Sequence, residues 1–186
     1  TMVAMAGSIG AIIMAQDEII QEKQSGTAAW ILSKPAARPA FILTKLLSNT
    51  VGVLVFIIVL PGLVALGEIY LATRQMVPLL PLLAGAGVLL LALFFYLSLV
   101  ILLGVLFESR GQVLGVAFGI MFGGLIIKSF IPYILYVLPL SMDGIALMVE
   151  QGMPLPAIFV SQLISTAVLS IVFTLVALWR FQRVEL

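Results

Sequence analysis

Long apolar runs alternate with short polar links along almost the whole chain, and the runs have the length of a bilayer crossing. Residues 46–67, 77–107, 111–127 and 157–179 carry no charged side chain. A helix needs about 20 residues to cross a hydrocarbon core of about 30 Å, so the pattern predicts membrane helices over residues 39–67, 78–107, 111–128 and 157–179. The run at 111–127 is near the lower limit for a span, whereas the one at 77–107 exceeds it and must tilt, break or begin outside the core. Pro61 is expected to bend the first of these helices near its far end, and Pro78 and Pro81 to start the next. Residues 1–15 are also apolar but would reach only about 22 Å as a helix. With Thr rather than Met at position 1, a helix cut off part-way is expected there.

Two segments interrupt this rhythm. Residues 16–45 bring together Asp17, Glu18, Glu22, Lys23, Lys34, Arg38 and Lys45. Helix formers at 19–23 predict that the first helix continues out of the membrane into water through residue 24. Ser25, Gly26 and Thr27 then break it, because Gly is costly in a helix interior while Ser and Thr favour the N-cap. A second short helix, with Trp30, Ile31 and Leu32, is predicted over residues 27–33. Pro35 stops it, and Arg38-Pro39 opens the following helix with Pro in a first turn, where its missing N–H costs nothing. The second interruption is residues 129–156, where Pro132 and Pro139 leave no uncharged piece long enough to cross. Tyr133 and Tyr136 suit an interface, so a re-entrant or interfacial element is expected before the last helix.

Composition narrows the class. With 63% apolar residues, 9% charged residues and a mean hydropathy of +1.29, the chain is no ordinary soluble domain. Continuous rather than alternating apolar runs exclude a barrel. The expected fold is therefore all-α: a single polytopic transmembrane domain over residues 1–186, with four full membrane helices and a truncated N-terminal one. Basic residues set its orientation. Lys23, Lys34, Arg38, Lys45, Arg110, Arg180 and Arg183 fall on one side and Arg74 and Lys128 on the other, which places segment 16–45 and the C-terminus in the cytosol.

Within the spans two patterns stand out. Gly111, Gly115, Gly119 and Gly123 recur at every fourth position, a spacing that lets another helix approach closely. An intramolecular packing face is the plainer reading, a dimer seam or substrate path the alternative. Gln162, Thr166, Ser170 and Thr174 form a polar stripe, read either as hydrogen-bonding glue between helices or, for Gln162, Thr166 and Ser170, as part of a pathway.

Glu22, Gly26-Thr27, Pro35, Arg38 and Lys45 resemble the signature between the second and third membrane helices of type 2 ATP-binding-cassette (ABC) transporter permeases. The motif covers about an eighth of the chain and the later hydropathy also fits. Ala28 and Ala29 depart from it, standing where many members carry a carboxylate. The resemblance implies that residues 25–38 are a coupling-helix segment docking on a separate ATPase subunit. Glu22, Gly26, Thr27, Trp30, Ile31, Pro35 and Arg38 would then be partner-binding residues. It also implies a second permease subunit, identical or not, and transport across the cell membrane, with export as the expected direction. Glu22 and Arg38 would orient the short helix through charge-assisted hydrogen bonds, and Lys45 would sit at headgroup level with its ammonium in water. Residues 129–156 likewise resemble the family's re-entrant element. A non-transporting membrane scaffold, or an amphipathic loop anchored on lipid by Trp30, is the competing reading.

The chain has no His and no Cys, which removes Ser–His–Asp and Cys–His catalysis and the usual zinc ligands. Residues 122–129 carry an imperfect phosphate-loop pattern, with Ile127 where Gly is required. No catalytic residue, metal site or cofactor is expected in this chain; ATP and Mg would belong to the partner subunit. A net charge of +1 without basic runs gives no reason to invoke nucleic acid.

Overall fold

In the computed structural model, which describes residues 2–16, 18–24 and 38–183, every regular element is helical. Helix α1 covers Met2–Ala15 and α2 Glu18–Gln24. Helix α3, Arg38–Val53, passes without a break through a wide-turned π segment, Leu54–Val59, into α4, Leu60–Thr73. Helices α5, Leu79–Leu106, and α6, Arg110–Ile127, follow. A short 3-10 turn, Pro132–Tyr136, leads to α7, Met142–Glu150, and α8, Phe159–Gln182, closes the chain. Among the described residues four helices are long and apolar enough to cross a membrane: Pro39–Thr73, α5, α6 and α8. The chain is thus an all-α, multi-pass membrane bundle.

Helix α5 is the central pole. Its C-terminal half, from Phe95 to Val105, is buried on every side, which is what a helix apolar all round requires when other helices rather than lipid surround it. It packs against α1, α2, α3, α6, α7 and α8. Twenty-eight unbroken residues give a length of about 42 Å, so the long run does not break; tilt or emergent ends must absorb the excess. The outer helices show the opposite exposure. Phe56, Leu63 and Leu71 on the α3–α4 rod, and Ile164, Ile171 and Leu175 on α8, face outward, as apolar side chains do when hydrocarbon is the solvent.

At Pro61 the helix changes geometry in the turn before the proline and runs on without a break. The proline stands at the start of α4 and would clash with the carbonyl four residues back. The preceding residues widen to π geometry, with the Leu60 N–H donating to the Val55 carbonyl five residues back. A π bulge is an established way to absorb such a clash inside a continuous helix. The helix then runs beyond the span expected at 39–67 to Thr73, where Arg74 adopts a left-handed conformation (φ 57°) and its N–H caps the Tyr70 carbonyl at 2.8 Å.

The first helix does not run on unbroken as expected. Helix α1 ends at Ala15, Gln16 bends the chain, and α2 continues along α5 with Ile19 and Ile20 buried. Two adjacent large apolar residues gain more against α5 than in water, each by about 1.5–3 kcal/mol. The place they occupy is opened by Gly104, where an added Cβ would meet the Ile19 side chain at 3.4 Å.

Candidate functional site

The structure describes both flanks of the segment expected to carry the coupling helix. Gly26, Thr27, Trp30, Ile31 and Pro35 lie outside the described residues, as does the side chain of Arg38; Glu22 and Lys45 are placed. These two form an ion pair, with Lys45 Nζ 2.6 Å from Glu22 Oε1 and the side chains about a quarter and a fifth exposed. The pair joins α2, which enters the segment, to α3, which leaves it. Lys45 therefore does not simply reach for headgroup water, as its position alone suggested; its ammonium is held against a carboxylate at the bundle edge.

The clamp has a base. The Lys45 ammonium lies 5.9 Å from the centre of the Phe41 ring one turn away. Phe41 stacks on Phe181 of α8, with centroids 5.3 Å apart and planes within 5°, and Phe181 is buried. On the other flank, Ile19 seats α2 against Gly104 of α5. The two ends of segment 25–37 are in this way fixed to α5 and α8. Sequence reading paired neither Phe41 with Phe181 nor Glu22 with Lys45. The second pairing was within reach, since both residues stand in the quoted motif, but the expected roles were separate.

At the far end of the bundle the polar stripe of α8 faces inward. Gln162, Thr166 and Ser170 are fully buried. Gln162 accepts a hydrogen bond from Ser141 Oγ at 3.0 Å and donates from Nε2 to the Leu138 carbonyl at 3.4 Å. Thr166 Oγ1 lies 3.2 Å from Met142 Sδ. Ser170 and Thr174 donate to carbonyls one turn back in their own helix, at 2.7 and 2.8 Å. Gln162 thus pins the irregular stretch between α6 and α7, and Thr166 touches the first residue of α7. Tyr133 and Tyr136 of this stretch are exposed, with rings 6.5 Å apart.

The glycine row behaves differently from the packing face expected. Among the described residues nothing lies within 4 Å of a Cβ built at Gly111, Gly115, Gly119 or Gly123. Their neighbour Gly124 is the tight one, with Leu140 at 3.0 Å. The link after α6 folds back over Gly124, one position round the helix from the row.

A family model described as an ABC-2 family transporter protein matches residues 1–186. The chain belongs to the ABC-2 transporter family. This ABC-2 chain is accordingly a membrane permease subunit of an ABC transporter, a transport component whose family implies association with an ABC ATPase subunit. No curated protein matches it. Within the permease, the clamp formed by Glu22 and Lys45 marks where segment 25–37 joins the bundle.

Proposed function

We propose that this permease is one membrane half of an ATP-driven exporter whose energy enters through segment 25–37. In this reading a separate ATPase subunit binds ATP and Mg and docks on a short helix over residues 27–33. Trp30 and Ile31 supply its apolar contact, Gly26 and Pro35 its sharp ends, and Thr27 its cap. Segment 16–45 and the C-terminus then face the cytosol of the cell membrane, and a second permease subunit completes the pathway. The observation that carries the reading is the 2.6 Å pair between Glu22 and Lys45, which ties the entry and exit of the segment into one body. A docking element can transmit a push only if its flanks do not yield separately.

The test is co-purification with the partner ATPase and ATP-driven efflux from, or uptake into, sealed vesicles of known orientation. Glu22→Ala and Gly26→Pro are expected to lower ATPase association and abolish coupled transport while the bundle still assembles. Unchanged association and transport in both variants would refute the assignment.

A further inference from the structure

A cavity of about 270 Å³ opens between α1, α5, α6 and the start of α7, at the end of the bundle away from Glu22 and Lys45. Most of its wall is apolar, with Leu89, Met121 and Leu125 among the lining residues. Three polar groups in that wall are unusual. Tyr96 is 4% exposed and makes no hydrogen bond among the described residues. Lys128, at the end of α6, and Asp143, in the first turn of α7, are both half-buried in the same wall. Neither their ammonium nor their carboxylate forms an ion pair with the other or with any other described residue.

Opposite charges that share a cavity normally close on one another, because each left alone in a partly apolar site loses hydration without return. Among the described residues they do not pair. Asp143 is fixed by α7, where the helix N-terminus favours a negative charge. The wall that carries α7 is itself held by the hydrogen bond from Ser141, another lining residue, to the buried Gln162.

We propose that this cavity binds a zwitterion, its anionic group on Lys128 and Tyr96 and its ammonium on Asp143, with the apolar wall receiving the attached carbon chain. A zwitterionic lipid headgroup and a soluble zwitterion share this chemistry.

The experiment is native mass spectrometry of the full chain in detergent. It is titrated separately with phosphatidylethanolamine, with anionic phosphatidylglycerol of the same acyl length, and with free phosphoethanolamine. Phosphatidylethanolamine is expected to bind more tightly than phosphatidylglycerol, and Lys128→Gln or Asp143→Asn to weaken it by about tenfold or more, as loss of a hydrogen bond to a charged group does. Lys128→Arg should retain binding. Asp143→Asn should also reverse the preference in favour of phosphatidylglycerol, which a merely structural defect would not do. Tyr96→Phe should give a smaller loss. Free phosphoethanolamine binding as tightly as the lipid supports the site with a soluble zwitterion as its occupant; much weaker binding supports the lipid. Equal binding of the two lipids, or a preference that survives loss of either charge, overturns the proposal.

Discussion

The ion pair between Glu22 and Lys45 makes a prediction whose size can be worked from its geometry. At 2.6 Å the Coulomb attraction at an effective dielectric of 20 is about 6 kcal/mol before any cost is subtracted. The side chains keep about a fifth to a quarter of their exposure, so much of their hydration is retained and much of that attraction is screened. Exposed pairs measure about 0–1 kcal/mol, and breaking a fully buried one costs about 3–5 kcal/mol. A coupling of about 1–2 kcal/mol is the expected result. The assay is a double-mutant cycle with Glu22→Gln, Lys45→Met and the double variant, read as unfolding free energy in mixed micelles by far-ultraviolet circular dichroism. The two single changes should each destabilise, and the double change should cost less than their sum by that coupling. The charge-swapped protein, Glu22→Lys with Lys45→Glu, should recover part of the loss. Effects that add to within about 0.3–0.5 kcal/mol would show that the residues act independently, and the argument that the two flanks move as one body would go with them.

Other consequences concern the contact between α5 and α7. At Gly85 an added Cβ would stand 2.8 Å from the Ala146 carbonyl oxygen. Backbone cannot swing aside, so Gly85→Ala should destabilise by about 1–3 kcal/mol. Gly87→Ala, two residues on with nothing within 4 Å, should instead stabilise by about 0.4–1 kcal/mol; thermal unfolding of the pair decides the sign. Gln162→Leu removes both bonds that hold the link before α7, at about 0.6 kcal/mol each for bonds of this kind in membranes. It should speed amide hydrogen exchange around residues 138–145 and leave α5 unchanged. Burial raises the carboxyl of Glu150, which lies against Gly85, above its usual range. The folded state then holds the proton more tightly than the unfolded one, so stability should fall as pH rises from the ordinary glutamate range through the raised value. Melting curves across that range should show this slope in the native chain and lose it in Glu150→Gln. A slope of the opposite sign would refute the cause.

How far the sequence could be read depends on which physical quantity each feature encodes. Crossing a bilayer is a matter of one helix and its length, so the charge-free runs were legible without knowing any neighbour. The family signature at Glu22, Arg38 and Lys45 is also local. Pairing is a different quantity. Lys45 near a membrane edge has two outlets for its charge, water or a carboxylate, and the choice is made only when α2 packs beside α3 and brings Glu22 within 2.6 Å. That packing is favoured by the burial of Ile19 and Ile20, which helix propensity alone assigned to a solvated extension. Glycine spacing encodes still less. A period of four guarantees that Gly111, Gly115, Gly119 and Gly123 share a face, but not that anything approaches it. Close approach is set by what the neighbouring element carries at the same height. Isolated glycines won that contest here: Gly104 beneath Ile19, Gly85 beneath the last turn of α7, and Gly124 beneath Leu140. The repeated motif is thus a weaker guide to the interior of this bundle than single glycines opposite bulky or backbone partners, because packing rewards complementarity between two surfaces and periodicity describes only one of them.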